Sequence, residues 1–85
     1  RAADDGVTTY NLSTNTPDNV MAFLRKNNQH EVLVLLNFSK EAIRSGITDE
    51  HLTGKFTEVF NKTNHDFTTQ KNVDMQPWQY LVYEK

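Results

Sequence analysis

The segment from Glu31 to Ser39 is apolar on both faces of the strand that its alternation predicts. Successive side chains of a β-strand point to opposite sides, so the residues divide into two sets. These sets are Val32, Val34, Leu36 and Phe38 on one side, and Leu33, Leu35 and Asn37 on the other. An ordinary two-sheet sandwich covers only one face of each sheet. We therefore expect another element or a partner to cover the second face of this strand.

The carboxyl-terminal segment from Trp78 to Tyr83 repeats the pattern. Pro77 stands at its start, where a missing backbone N–H is tolerated. The alternate residues again form two apolar sets, which are Trp78, Tyr80 and Val82 against Leu81 and Tyr83. This strand is also expected to be covered on both faces.

Four further segments have strand composition, and two of them alternate between apolar and polar residues in the manner of a half-buried strand. The alternating pair is Lys55–Asn61 and Asn72–Gln76, and the other two are Val7–Leu12 and the short Phe67–Thr69. Turn composition separates these segments at Asn27–His30 and Asn61–Asp66. Gly46 and Gly54 are expected to supply turn or bulge geometry.

Two segments fit either a helix or a strand. The first, Thr16–Arg25, has a Thr cap and a Pro at the first helical position, which locally favours a helix. Its apolar residues also fit a strand that ends at Arg25. The second, Ser39–Arg44, either opens a helix or runs as a short strand around Ile43.

Composition narrows the class of protein. With 85 residues, 36% of them hydrophobic, the chain is expected to form one domain with a modest core. The net charge is −2 and no run of Lys or Arg exceeds two residues, so nucleic acid is not an expected partner. The absence of Cys excludes disulfides, zinc fingers and thiol catalysis. No apolar stretch reaches the roughly 20 residues of a membrane span.

The start of the chain predicts its domain organisation. The first residue is Arg1 rather than Met, so we expect a piece of a longer protein. Residues 1–6 then form a linker remnant, and residues 7–85 form a single domain.

Catalytic patterns are not found in the sequence. The acidic residues lie mostly at predicted turns, at the chain end or on the polar side of strands, so no catalytic carboxylate pair is expected. The three His residues lie in predicted loops, without metal-ligand spacing. The run Asp49-Glu50-His51 either binds a metal or, as we expect, forms an exposed turn capped by Thr48. We predict no catalytic residue, no metal site and no cofactor, and we assign no function to the sequon at Asn37.

Trp78 is the only Trp of the chain, and in a strand it shares a face with Tyr80 about 7 Å away. Two such rings can stack on sugars and form a carbohydrate-binding platform. Because both rings also bury large apolar areas, packing in a core or an interface is the expected role.

The order of these features resembles a known family. The matching segments are Ala22–Arg25, Leu36–Ser39 at the end of the apolar strand, Leu52–Val59 and Met75–Tyr83. In this order and spacing they resemble the C-terminal domain of alpha-amylase family glycoside hydrolases, in particular the cyclomaltodextrinase and neopullulanase type. The likeness extends from Val7 to Lys85.

The resemblance implies an all-β fold, an antiparallel Greek-key β-sandwich of seven to eight strands, and it makes Val20–Arg25 a strand. It also implies an upstream catalytic barrel in the same polypeptide, which carries the catalytic Asp, Glu and Asp of the family. Those motifs are absent from this chain, so the fragment is not expected to be an enzyme. The lack of Cys says little about the compartment, because many exported bacterial proteins also lack it. The compartment stays open, with an exported bacterial parent, periplasmic or at the cell surface, preferred over a cytoplasmic one.

The implied function is an accessory domain that docks on the barrel of an enzyme acting on α-glucans and stabilises it. The alternatives are a carbohydrate-binding module that contacts maltooligosaccharides through Trp78 and Tyr80, and a stand-alone secreted interaction module. The residues assigned to barrel docking are Leu33, Leu35, Leu81 and Tyr83, while the other apolar set, Val32 to Phe38, faces the sandwich core. The reverse assignment of the two faces is the alternative.

Overall fold

A computed structural model describes residues 6–85, which form eight β-strands and no helix. The all-β prediction is therefore confirmed. The predicted linker remnant, residues 1–6, lies outside the described residues except for Gly6. The strands are β1 (Thr8–Asn11), β2 (Val20–Lys26), β3 (Glu31–Asn37), β4 (Ile43–Gly46), β5 (Lys55–Glu58), β6 (Asn64–Asp66), β7 (Asn72–Met75) and β8 (Tyr80–Glu84).

The strands form two antiparallel sheets that pack as a sandwich. The large sheet has six strands in the order β1-β2-β3-β8-β5-β6, and the small sheet pairs β4 with β7. The chain's last strand, β8, therefore lies between β3 and β5, and its register sets Leu81 opposite Leu35 and Tyr83 opposite Leu33. The two strands that the sequence marks as apolar on both faces are therefore neighbours in the large sheet.

The core lies between the small sheet and the inner face of the large sheet. Inner-face residues come from β2, β3, β5 and β8, and Val73 and Met75 come from β7. Aromatic rings fill one end, where Phe67 meets Phe56 and Tyr83 edge-on with centroid separations of 5.6 and 5.2 Å. The small sheet covers only one face of the large sheet, so the opposite outer face has no cover within residues 6–85.

The segment Thr16–Arg25, which fits either a helix or a strand by its sequence, is a strand from Val20 onward. The helix-start signal survives only as one turn, in which Asn19 and Val20 donate backbone hydrogen bonds to the carbonyl of Thr16. From Val20 onward the chain pairs with β3 along its full length, from Val20 opposite Asn37 to Lys26 opposite Glu31. A seven-residue ladder with an apolar inner face outweighs a local capping preference.

The short strand between β5 and β7 was predicted at Phe67–Thr69 and is found at Asn64–Asp66. Asn64 pairs with Thr57, and the Thr57 hydroxyl donates to the Asn64 side chain at 3.0 Å. The following residues turn around Asp66, which accepts hydrogen bonds from Thr68 and Gln70. Phe67 is buried in the core as part of this turn rather than as part of a strand.

Gly54 supplies the predicted turn geometry, with a φ of +97° that disfavours other residues. Gly46 plays a different role, because it ends β4 at an ordinary φ. A Cβ atom at position 46 would lie 2.9 Å from the side-chain oxygen of Asn72 and 3.0 Å from the amide nitrogen of Asn15. The glycine at 46 thus allows two side-chain amides to approach the backbone.

Candidate functional site

The outer face of the large sheet carries two adjacent rows of apolar side chains. Strand register aligns Met21 with Leu36, and Leu36 with Tyr80. The next row aligns Phe23 with Val34, and Val34 with Val82. We call this surface the outer patch, and its residues are Met21, Phe23, Val34, Leu36, Tyr80 and Val82.

Large apolar side chains extend the outer patch at one end. The ring of Phe60 packs edge-on against Tyr80, with centroids 5.7 Å apart. Phe38 and Met21 line one recess on this face. The N–H of Trp78 donates to the carbonyl of Ser39, the residue that follows Phe38. Within residues 6–85, the large apolar side chains that are exposed all belong to or adjoin the outer patch: Met21 52%, Phe38 39%, Phe60 59%, Trp78 63% and Tyr80 55%.

The opposite end of the same face is polar. The third row across the sheet aligns Arg25 with Val32, Val32 with Glu84, and Glu84 with Thr57. Arg25 and Glu84 are exposed and carry opposite charges. The outer patch therefore has a charged border on one side, an arrangement typical of interaction surfaces with an apolar centre and a polar rim.

The four side chains assigned to docking from the sequence lie on the inner face. Leu33 and Leu35 are fully buried, and Leu81 and Tyr83 are nearly so. These four residues belong to the core and have no surface left for a partner, which corrects their assignment. The set of β3 on the outer face is the one that includes Val34 and Leu36, which are half-buried, so the two faces are the reverse of the assignment made from the sequence.

The polar Asn37 explains why the inner face was hard to recognise. Asn37 shares the inner face with Leu33 and Leu35, yet it is fully buried. Its side-chain amide donates to the carbonyls of Glu41 (2.7 Å) and Gln76 (2.9 Å). Its side-chain oxygen accepts hydrogen bonds from the backbone N–H and hydroxyl of Ser39, at 3.0 and 2.7 Å. A fully bonded amide behaves as part of the core.

Trp78 lies in a turn rather than in the predicted strand. The N–H of Gln79 donates to the carbonyl of Gln76, so the residues from Gln76 to Gln79 form a β-turn with Pro77 and Trp78 at its centre. Trp78 has a φ of +60°. Tyr80 begins β8, so the two rings do not lie on one strand face. Both rings are nevertheless exposed at the same end of the outer patch.

Glu58 is a buried carboxylate with a structural role. One of its oxygens accepts backbone N–H groups from Phe60 (3.1 Å) and Asn61 (2.7 Å), and the other accepts that of Val82 at 3.4 Å. Burial by itself raises the pKa of Glu58, but these backbone donors outweigh burial and hold the pKa below its ordinary value of 4.5. Burial, and then the nearby charge of Glu58, raise the pKa of Tyr83.

The Asp49–His51 segment forms a turn in which Asp49 is the cap, not Thr48 as predicted. The Asp49 carboxylate accepts the backbone N–H of His51 at 2.9 Å and contacts its ring nitrogen at 2.7 Å. These two bonds lower the pKa of Asp49. The His51 ring stacks on Tyr10 with centroids 4.2 Å apart. Within residues 6–85 no group of three His, Asp or Glu side chains could hold a metal ion.

A polar groove of about 390 Å³ opens on the other side of β8. Its lining includes the side-chain amides of Asn61, Gln70 and Asn72, together with His65. The inward-facing residues Leu81 and Tyr83 also line it, whereas Tyr80 points to the outer face. The amide-rich groove and the exposed aromatic rings are thus on opposite faces of one strand.

The fold is an antiparallel β-sandwich with one partly exposed apolar sheet face. The family whose model matches the chain is the alpha-amylase SusG C-terminal domain, over residues 20–82. The match spans more than half of the 85 residues, so the chain belongs to this family. It is a C-terminal accessory domain of an amylase, and the family indicates a catalytic domain of the same polypeptide as partner.

No curated protein matches the chain. In the part of the chain that the structure describes, no helix has the length and apolar character needed to cross a membrane.

Proposed function

We propose that the outer patch docks on the catalytic barrel of the same amylase and stabilises it. The observation that carries the proposal is the grouping of five exposed large apolar side chains on and around one sheet face. Monomeric proteins seldom expose contiguous apolar surface beyond a few hundred Å² unless it serves an interaction. Membership of an amylase C-terminal domain family supports a catalytic domain as the occupant.

Covering this surface contributes favourable free energy to docking. Covering an exposed Met, Phe or Leu side chain contributes about 1.5–3 kcal/mol. In the outer patch Met21 and Tyr80 are exposed and the other four side chains are half-buried, and the strands that carry them, β2, β3 and β8, are fixed by the core beneath. A rigid apolar surface loses little conformational entropy when it is covered.

The proposal is tested with the catalytic domain and the 85-residue chain produced as separate proteins. We expect them to associate in isothermal titration calorimetry, with a negative heat-capacity change as apolar surface is buried. The midpoint of thermal unfolding of the catalytic domain should rise when the chain is added. If the two proteins do not associate, and the chain leaves this midpoint unchanged, docking is refuted.

A pair of variants locates the contact. Leu36→Asp places a charge in the middle of the outer patch and should abolish association. Gln29→Asp introduces the same charge in the exposed turn between β2 and β3, beyond the charged border, and should leave association intact. Equal effects of both variants would show that the outer patch is not the docking surface.

Carbohydrate binding is a second candidate, favoured by the exposure of Trp78 and Tyr80. Titration of the isolated chain with maltooligosaccharides, followed by the fluorescence of its single Trp, tests this candidate. The polar groove lies on the other face of β8, so hydrogen-bonding side chains and aromatic rings do not share one surface there. This separation favours docking over sugar binding.

We further propose that the whole enzyme acts on α-glucans and is of the cyclomaltodextrinase or neopullulanase type. The resemblance of Leu36–Ser39 and Met75–Tyr83 to that type supports this assignment. Assays of the full polypeptide on cyclomaltodextrin, pullulan and soluble starch test it. Faster hydrolysis of cyclomaltodextrin or pullulan than of starch is expected, and a preference for starch would contradict the assignment.

A further inference from the structure

Trp78 occupies a backbone position that suits glycine or asparagine. It follows Pro77 in the turn from Gln76 to Gln79 and has a φ of +60°. A turn with Pro at its second position and a positive φ at its third is of type II, and the third position normally requires Gly or Asn. An L-residue with a large side chain is strained there.

The turn cannot relax this strain, because hydrogen bonds fix its backbone on both sides. The carbonyl of Gln76 accepts the side-chain amide of Asn37 at 2.9 Å, and the carbonyl of Gln79 accepts the N–H of Asn37 at 2.8 Å. The N–H of Trp78 donates to the carbonyl of Ser39 at 3.1 Å. The N–H of Gln76 donates to the side chain of Gln79 at 2.9 Å. A buried residue therefore holds the turn that presents Trp78.

The side chain of Trp78 contributes little packing to its own domain. With 63% of its surface exposed, it is the most exposed of the large apolar residues in the described part of the chain. A residue that strains the backbone and is barely packed does not serve the stability of the isolated fold. Strained positions of this kind persist where function requires them.

We propose that Trp78 is a preorganised anchor that inserts into the catalytic domain when the outer patch docks. This inference rests on the proposed docking function. The hydrogen-bonded turn fixes the backbone from which the indole ring projects, so little backbone freedom is lost on association. Trp residues at interfaces often contribute far more binding energy than their neighbours.

Substitutions at Trp78 separate stability from docking. Trp78→Gly removes the ring and relieves the strain, and its chain should unfold at a temperature no lower than that of the wild type. Trp78→Ala removes the ring but keeps the strain, and it should unfold below Trp78→Gly, the reverse of the order at ordinary positions. Both variants should bind the catalytic domain about tenfold or more weakly.

Lys62 offers a matched control. It is the other described non-glycine residue with a positive φ, at 61°, and it is exposed in the loop after β5. Lys62→Gly relieves the same kind of strain without removing apolar surface. It should unfold no lower than the wild type and should bind the catalytic domain with unchanged affinity.

Fluorine NMR observes the anchor directly. Because the chain has one Trp, labelling with 5-fluorotryptophan gives a single resonance that belongs to Trp78. Adding the unlabelled catalytic domain should shift this resonance, and adding maltohexaose alone should leave it in place. A shift with maltohexaose alone would assign Trp78 to sugar binding and would overturn the anchor role.

The outcomes distinguish this inference from the proposed function. If the wild-type chain does not bind the catalytic domain, docking itself fails. If Leu36→Asp abolishes binding while Trp78→Gly binds like the wild type, docking stands and the anchor role of Trp78 is overturned. If Leu36→Asp and Trp78→Gly both lose binding to the catalytic domain while Lys62→Gly binds like the wild type, the anchor role is supported.

Discussion

At the scale of single residues, buried polar groups hold the loops that surround the outer patch. Asn37 joins the end of β3 to the turn that carries Trp78, and Glu58 collects three backbone N–H groups around the end of β5. Every buried side-chain nitrogen or oxygen among residues 6–85 has a hydrogen-bond partner. A buried polar group with all its partners costs little, but removing it leaves those partners unsatisfied.

Asn37→Ala should therefore destabilise the domain by about 2–4 kcal/mol, because carbonyls of Glu41 and Gln76 and donors of Ser39 lose their partner. Urea denaturation of the purified chain measures this loss. Asn28→Ala, in the exposed turn between β2 and β3, is the control and should change stability by less than about 0.5 kcal/mol. Similar losses for the two variants would show that the Asn37 amide is not structural.

Glu58→Gln should destabilise the domain by about 1–3 kcal/mol at neutral pH, because an amide cannot accept all three N–H groups. The pKa of Glu58 lies below 4.5 in the folded state, so its carboxylate stabilises the fold above pH 4.5. That contribution is lost as the pH falls through the folded-state pKa, and the gap between wild type and Glu58→Gln should narrow in acid. Urea denaturation over a pH series measures the gap.

The exposed Glu84 provides the control for this pH series. Glu84→Gln should stay within about 0.5 kcal/mol of the wild type at neutral pH, since its side chain is exposed at the end of β8. A gap between wild type and Glu58→Gln that stays constant below pH 4.5 would contradict the role assigned to the Glu58 carboxylate.

At the scale of elements, β3 presents one set of side chains to the core and the other to the outer patch. Its two neighbouring leucines point to opposite faces: Leu35 is fully buried opposite Leu81, and Leu36 lies in the outer patch opposite Tyr80. The two positions have the same residue type and adjacent backbone. They form a natural matched pair for assigning a function to each face.

Leu35→Ala should cost about 2–5 kcal/mol of folding stability through the cavity it leaves, while Leu36→Ala should cost less than about 1 kcal/mol. Thermal and urea unfolding of the isolated chain measure both changes. In calorimetry against the catalytic domain, Leu36→Ala should bind more weakly than the wild type. If Leu36→Ala lost as much stability as Leu35→Ala, the outer patch would be part of this domain's own core.

At the scale of the whole molecule, one face of the sandwich is apolar and uncovered while the net charge is only −2. Weak charge repulsion and an exposed apolar patch together favour association of the isolated chain with itself. The outer patch should therefore be covered by a second copy at high protein concentration when the catalytic domain is not present.

Analytical ultracentrifugation of the isolated chain should show an average mass that rises with concentration, with an affinity on the order of millimolar. Sulfate should strengthen this association, since it strengthens apolar contacts. Leu36→Lys should suppress it, and Thr48→Lys, an exposed site outside the outer patch, should not. A mass that stays monomeric at all concentrations would show that the outer patch is too small or too polar to associate.

The sequence predicted the strands that have a long apolar pattern. It did not predict the short strand and the turn whose positions depend on packing against distant residues. Glu31–Asn37 and the final strand were found because alternation over several residues is a reliable signal. The short strand near residue 65 was displaced, because Phe67 is buried from a turn and local composition carries no sign of that. The turn at Trp78 was missed, because its backbone is held by hydrogen bonds with residues far away in sequence: the Asn37 side chain donates to Gln76, and the carbonyl of Ser39 accepts the N–H of Trp78.

By itself, the sequence determined that β3 and β8 are apolar on both faces, and the expectation of a cover for the second face rests on this pattern. This follows from side-chain alternation, which is a local property of the chain. Only the tertiary structure decided which face is which. Leu33 and Leu35 lie inside together with Asn37, whose buried amide is hydrogen-bonded to Glu41, Gln76 and Ser39. These hydrogen bonds, one of them to Gln76 at the other end of the domain's sequence, form only in the folded chain, so local alternation could not tell the inner face from the outer one.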